Sequence, residues 1–476
     1  MLVFSARRFA ALLGDWRGGG PRPAAARAAL SDRIRLLILD GRLPLGARLP
    51  AERELAAALQ LSRTTVSAAY ASLRDAGYLR SVRGSGSVAV MPDGVPAAAG
   101  GSESLLDFAK AALPAAEALA EAAAAAAGEL PAYLAGSGYD PVGLPSLREA
   151  IAARYRARGL PTDVDQVMVT IGAQHAIARL AGTLLSGGDT AMVEAPSYPH
   201  ACEALAAACR RLVTVPVTAA GGWDDDALQQ TLRRTNPAVA YLMPDFHNPT
   251  GAVMPAEQRE RTLFLAQRQG TVVVADETMA ELNIDLPPGE LPLPLAAYGP
   301  AVLIGSLGKT VWGGLRIGWI RAEPALIRQL VQARYRSDLG TPVLEQLIAV
   351  RLLEQYEDVL AARSAQLRRG RDLLEGLLRT ELPDWQVPHV RGGLTTWVEL
   401  PLPVSSALTL AARTRGLQLA AGPAFGSGGI FERFLRIPFS YSAEETCAAV
   451  RTLHDVWQSV GGLPVGRLPD PQPQVV

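Results

Sequence analysis

The stretch Ser306–Trp319, SLGKTVWGGLRIGW, carries Lys309, one of only two lysines in 476 residues. The other is Lys110, and the remaining 44 basic residues are arginines. In so arginine-rich a chain, a lysine marks work that a guanidinium cannot do. An ammonium can lose its proton and attack a carbonyl, whereas a delocalised guanidinium stays charged. Just before the stretch, AVLIGS is a short apolar run of strand type. Such runs recur upstream as VMVTIG, TAMVEAP, LVTVPV, AVAYLMP and TVVVADE, with helical segments between them. This alternation predicts an α/β domain with a mostly parallel sheet over residues 105–460.

Six features of that domain point to one kind of ligand. GSGYDPVGLPSLREAI (136–151) leads into a helix. VTIGAQHAI (169–177) is a strand followed by Gly172, Ala173 and Gln174 at a helix start, where free N–H groups and the helix dipole hold phosphate. VEAPSYPH sets Tyr198 just past a strand, able to stack on a flat ring. MPDFHNPTG (243–251) puts Asn248 in a proline-rich bend. TVVVADE ends a buried strand with Asp276, at the end of a parallel sheet where ligands bind. A buried carboxylate there needs a cationic partner, and a protonated ring nitrogen would serve. The sixth feature is the opening stretch, with Ser306, Lys309 and Arg316. A phosphate, a planar ring, an acid for a pyridinium nitrogen and a singular lysine together imply pyridoxal 5'-phosphate, with Lys309 forming the Schiff base.

On NPTG, ADE, SLGK and GGLRIGW, in that order, segment 105–460 resembles the fold type I aminotransferases of class I/II. The resemblance implies a transferase fold with a smaller C-terminal α+β subdomain. It implies Ala173, Gln174, Ser306 and Arg316 on the cofactor phosphate, and Tyr198 stacked on the ring. Asn248 would meet the ring hydroxyl and Asp276 the ring nitrogen. Tyr139 resembles a tyrosine that reaches the partner subunit's phosphate, which implies a homodimer. FLRIPFS places Arg436 where the family binds a substrate carboxylate, after a matching GGL at 392–394. One departure stands out. The family usually has a tyrosine two or three residues after the aspartate, and here those positions hold Thr278 and Met279.

The N-terminal part differs in charge. Residues 1–90 hold fourteen arginines against six acids, a net charge of +8 in a chain whose total is zero. A basic module on an acidic body suits a polyanion such as DNA. Its pattern predicts a helix over 31–40, a second from Pro50, and a third from the N-cap Ser62 to Gly77, followed by a two-stranded wing. Ser62, Arg63, Thr64 and Thr65 then stand at a helix N-terminus able to enter a major groove, with Arg63 suited to a guanine edge. Arg48 and Arg53 flank that face, and Arg83 and Gly86 belong to the wing. ARLPAERELAAALQLSRTTVSAAYASLRDAGYLRSVRGSGSVAV resembles the winged helix-turn-helix of GntR-type regulators. That resemblance implies DNA contacts by Arg53, Ser62, Arg63, Thr64, Thr65 and Gly86.

The expected layout is an extension at 1–28, the DNA-binding domain at 29–90, a linker at 91–104, the cofactor domain at 105–460 and a tail at 461–476. Joined, the two halves resemble the MocR subfamily of bacterial regulators. The function implied is a regulator that senses an amine or amino acid, or the cofactor itself, through an aldimine and binds a double-stranded operator of paired half-sites. A catalytically active aminotransferase with an appended winged helix is the alternative reading. No run of 18 uncharged apolar residues predicts a membrane span, and the alanine-rich segment 111–127 reads as a surface helix. Three cysteines without a CxxC pattern read as buried thiols in a reducing cytoplasm.

Overall fold

The computed structural model describes residues 4–14, 23–39, 42–82, 86–90, 105–426 and 430–460. The expected linker and tail lie outside them. The N-terminal module is built from α1 (Ala6–Leu13), α2 (Pro23–Leu39), α3 (Glu52–Leu59), α4 (Arg63–Asp75) and a hairpin of β1 (Leu79–Val82) and β2 (Gly86–Ala89). α3 turns into α4 through Gln60, held at a φ of 52°. Ser62 caps α4 by accepting a hydrogen bond from the Thr65 N–H at 3.1 Å. Tyr70 on α4 is buried and donates to the Pro50 carbonyl at 3.1 Å, tying α4 to the start of α3.

The boundary expected at residue 28 is corrected by the packing. Phe4, Phe9 and Leu13 are buried in the same core as Leu30, Ile34, Leu55 and Leu73, and α2 begins at Pro23. The N-terminal residues therefore complete the module, because α2, α3 and α4 alone would leave an apolar face open to water. Phe9→Ala is expected to lower the module's stability by about 3 kcal/mol. The check is the urea midpoint of its unfolding transition.

In the large domain eight strands form one sheet in the order β4-β11-β10-β9-β8-β5-β6-β7. In chain order β3 is Leu106–Asp107, β4 Val167–Thr170, β5 Thr190–Ala195, β6 Arg211–Thr218, β7 Gly222–Trp223, β8 Val239–Leu242, β9 Val272–Asp276, β10 Val302–Ser306 and β11 Gly318–Arg321. The pairs β10–β9, β9–β8, β8–β5 and β5–β6 are parallel. β11 runs against both its neighbours because the turn through Lys309 sends the chain straight back beside β10. The central strands are aliphatic on both sides, as a layer covered by helices on each face requires, whereas β6 near the edge buries only alternate residues.

A smaller unit follows: β12 (Thr395–Glu399), β15 (Phe434–Pro438) and β14 (Ala420–Ala421) form a three-stranded antiparallel sheet. β13 (Leu417–Gln418) pairs with β3, which stitches the start of the large domain to its end. The alanine-rich segment forms a surface helix, as expected, with most of its residues exposed or half-buried. Its helix runs Ala118–Glu129 and buries Ala122 and Ala126 in the main core. The three cysteines are half-buried rather than buried.

The two domains touch through α2. Leu36 packs on Leu410 and Ala421 of the small unit. Arg33, almost fully buried, lies 3.6 Å from Glu432 and donates to Ser406 Oγ at 3.4 Å.

Candidate cofactor and effector site

The strand ends converge on one cavity of about 840 Å³. Ala173 and Gln174 follow β4, Tyr198 follows β5 and Asn248 follows β8. Asp276 ends β9, Ser306 ends β10, and Lys309 and Arg316 lie in the turn before β11. Arg436 enters from β15. All nine line the cavity, as does Lys110. Tyr139 does not line it; its side chain is 69% exposed on the surface. On a single chain, the sequence expectation for Tyr139 therefore has no counterpart in the cavity.

At the phosphate end, Gly172 precedes the helix Ala173–Leu184 with a φ of +79°. Gly318 passes so close beneath it that a Cβ there would lie 2.7 Å from the Gly172 carbonyl carbon. Only glycines let β11 and the helix start approach this closely. Arg316, at a φ of 56°, donates to the Ile171 carbonyl at 2.8 Å beside the same turn. Ser306 Oγ donates to the Ile317 carbonyl at 2.9 Å and accepts from the Gly308 N–H at 3.0 Å. The result is a helix N-terminus, a guanidinium and a hydroxyl gathered around one spot, the recipe for an anion.

At the other end, the Asp276 carboxylate is buried and held on both oxygens. Tyr241 donates its hydroxyl to Oδ2 at 2.6 Å, and the Thr278 N–H donates to Oδ1 at 3.0 Å. Tyr241 was missed in the sequence. Its signal was a lone phenol in the aliphatic strand AVAYLMP, since a buried tyrosine hydroxyl needs a partner. Thr278 and Met279 line the cavity where the family's usual tyrosine would stand.

Lys309 donates to the Ala111 carbonyl at 2.6 Å. Burial, with the Arg436 charge adding to it, lowers its pKa to about 8, against the opposing pull of Asp276. Arg436 is buried, lies over the Phe425 ring at 4.8 Å and donates to the Ala109 carbonyl. Burial lowers its pKa to about 10, against the opposing pull of Tyr441, Tyr198 and Asp107. Its guanidinium stays protonated at neutral pH, so a buried positive charge faces the cavity and favours an anion. The loop carbonyls at 109 and 111 thus hold both cationic heads, a long-range arrangement that no local motif announces.

The polar atoms fit pyridoxal phosphate. Asn248 Oδ1 and Gln174 Oε1 are buried without a hydrogen-bond partner. With the anion cradle, the buried acid and the lysine, they match a ligand with a phosphate, a ring hydroxyl, a basic ring nitrogen and a carbonyl. Since the Lys309 amine reacts only when neutral, uptake of pyridoxal phosphate by the apo-protein is expected to speed up about fivefold from pH 7 to 8 and less than about twofold from 8 to 9. Stopped-flow absorbance over that range checks it.

On the DNA-binding module, Arg53, Ser62, Arg63 and Thr64 are exposed, and Thr65 is half-buried. The Ser62 hydroxyl lies 2.8 Å from Thr64 Oγ1 and 2.7 Å from Thr65 Oγ1. Arg48 bridges to Val88 in the wing, and its guanidinium lies beside Gly86, whose φ is +78°. Arg83 falls outside the described residues.

The model of the aminotransferase class I and II family matches residues 103–453, and that of the gntR family of bacterial regulatory proteins matches 26–88. A 2-aminoadipate transaminase from Thermus thermophilus is 32% identical over 58% of this chain and 71% of that protein. YdfD of Bacillus subtilis, described as an uncharacterized HTH-type transcriptional regulator, is 27% identical over 87% of this chain and 92% of its own. The solved structure of LysN, an alpha-aminoadipate aminotransferase of Thermus thermophilus complexed with N-(5'-phosphopyridoxyl)-L-leucine, superposes with a TM-score of 0.68 at 30% identity. It covers 76% of this chain, and 94% of that chain is matched. The cofactor of the large domain is pyridoxal 5'-phosphate. The chain belongs to the class I and II aminotransferase family and joins that domain to a GntR-type helix-turn-helix, the architecture of the MocR-type transcriptional regulators.

Proposed function

We propose that the protein is a cytoplasmic, homodimeric regulator that captures a free amine or amino acid in its large domain and converts that event into a change in operator binding. The observation that carries this reading is Lys309. Its amine has a pKa lowered to about 8 in a cavity that also holds the buried cation Arg436. Pyridoxal phosphate, when bound, supplies an aldehyde carbon that takes up a primary amine reversibly. The protein's own part is to hold everything around that carbon. Arg316, Ser306 and the helix start at Ala173 and Gln174 grip the phosphate. Tyr198 covers the ring face, Asn248 meets the ring hydroxyl, and Asp276 keeps the ring nitrogen protonated. Arg436 takes the effector's carboxylate.

Tyr139, exposed on one chain, is assigned to the partner's phosphate site. Two winged modules per dimer then read two operator half-sites through Arg63 and its neighbours.

The second reading, a working aminotransferase, draws on the groups gathered around Lys309 and on the named transaminase relatives. Against it stand Thr278 and Met279 at the cavity wall in place of a tyrosine. The test is direct. Holo-protein is mixed with amino acids, its visible band is followed, and keto-acid release is assayed with a 2-oxo acid acceptor present. The regulator reading expects a band shift without sustained keto-acid formation. Multiple turnovers favour the enzyme, and an unmoved band for every amine contradicts both.

A further inference from the structure

The anion cradle is supported by a histidine that does not itself line the cavity. β4 ends at Thr170, so the Ile171 peptide lies just beyond the pairing with β11. The Ile171 carbonyl accepts from Arg316 Nη2 at 2.8 Å. The Ile171 N–H donates to Nδ1 of His175 at 3.1 Å, in the first turn of the helix that follows. A backbone N–H only donates, so Nδ1 carries no hydrogen and the neutral ring bears its one hydrogen on Nε2. Nε2 faces Asp338 Oδ2 at 3.1 Å.

Asp338 is fixed in its turn. Arg334 is fully buried and donates to Asp338 Oδ1 at 2.6 Å. The same guanidinium donates to the Pro141 and Val169 carbonyls at 2.9 and 2.8 Å. The Gly340 N–H adds a bond to Oδ1, and the Ser337 hydroxyl one to Oδ2, each at 3.1 Å. One chain of hydrogen bonds thus runs from Arg334 through Asp338, His175 and the Ile171 peptide to Arg316. Its last link is tight, since a Cβ on Gly172 would lie 2.7 Å from Arg316 Nη2.

We propose that His175 is a positioning residue for the cofactor phosphate: oriented by Asp338, it fixes the Ile171 peptide, which aims Arg316 and the helix start at the anion. A guanidinium held in place before the anion arrives loses less freedom on binding it. This inference rests on the reading of Arg316 as the phosphate clamp. The role requires the neutral ring, because an imidazolium would set a second N–H against the Ile171 N–H. The charged groups acting on the ring are Asp338, Arg334 and Arg179. Burial lowers its pKa below the usual value, Asp338 opposes that, and Arg334 and Arg179 add to it. The ring is therefore neutral at pH 8 and gains its charge only in acid.

The test titrates full-length apo-protein with pyridoxal phosphate and with pyridoxal, which lacks the phosphate. The ratio of the two affinities isolates the grip on the phosphate. Wild type, His175→Leu, His175→Gln and Arg316→Gln are compared at pH 8 and pH 5.5. Glutamine offers an acceptor and a donor as the neutral ring does, but does not titrate. At pH 8 the ratio is expected to fall about tenfold in His175→Leu and to stay within about twofold of wild type in His175→Gln. At pH 5.5 the wild-type ratio is expected to drop at least about threefold below that of His175→Gln, which shares every other titrating group. A ratio unchanged in His175→Leu overturns the proposal, even where both ligands weaken equally, as a merely structural role would give. Failure of His175→Gln to rescue at pH 8 overturns it as well. Equal ratios for wild type and His175→Gln in acid overturn the need for a neutral ring. An unchanged ratio in Arg316→Gln overturns the clamp reading and this proposal with it, whereas a loss there without one in His175→Leu overturns this proposal alone.

Discussion

Lys309→Ala is expected to abolish covalent attachment of pyridoxal phosphate completely. Two lysines line the cavity, and Lys309 is the recessed one, its pKa lowered to about 8 by burial. Lys110 is largely exposed and paired with Asp107. With so few lysines, the measurement is unambiguous: holo-protein is reduced with borohydride, digested and weighed by mass spectrometry. The whole adduct is expected on the Lys309 peptide in the wild type and in Lys110→Ala, and none in Lys309→Ala. Lys309→Arg should fail equally, although it keeps the charge, because a guanidinium cannot release the proton that the chemistry needs. Weak non-covalent retention should survive in both variants, since the Arg316 and Gly172 cradle is separate from the amine. An adduct persisting in Lys309→Ala would remove the residue from the chemistry.

The second large effect concerns DNA. Arg63 stands exposed at the first position of α4, just after the cap formed by Ser62. A bidentate contact to a guanine edge carries about 1–3 kcal/mol of discrimination, and a two-fold operator doubles it to about 2–6 kcal/mol. Arg63→Ala should therefore cost at least about thirtyfold in operator affinity and relax sequence preference at one position of each half-site. Arg53→Ala should behave differently. It should weaken binding evenly across sequences and flatten the salt dependence by about one phosphate contact per module. Quantitative gel-shift or anisotropy titrations on wild-type and base-substituted operators separate the two. Equal losses on every sequence for Arg63→Ala would make it a backbone contact.

Much of this protein could be read from residues adjacent in sequence. A lysine between two glycine-rich turns, an aspartate closing a valine run and a serine before RTTV each state their role within a few residues. The strands expected from apolar runs are the strands found, because a parallel sheet covered on both faces needs uninterrupted aliphatic stretches. What was not legible depends on partners far away in the chain. Tyr241 supports Asp276 from a neighbouring strand 35 positions earlier. The carbonyl of Ala111 holds Lys309 across 198 residues. The packing of Phe9 into the DNA-binding core and the presence of Leu36 on the cavity wall follow from tertiary contacts alone. The boundary at residue 28 failed for the same reason. An Arg/Gly/Ala-rich stretch looks like an extension until its few large apolar residues find a core.

The central claim is that occupancy of the Lys309 cavity and operator binding are thermodynamically coupled. The most direct measurement is the operator dissociation constant of holo-protein, taken without an amino-acid effector and with one at a concentration that saturates the shift of the visible band. The account predicts a change of about 5- to 150-fold, and by linkage the same factor in effector affinity when operator DNA is added. A saturated band shift with no change in operator affinity would contradict it.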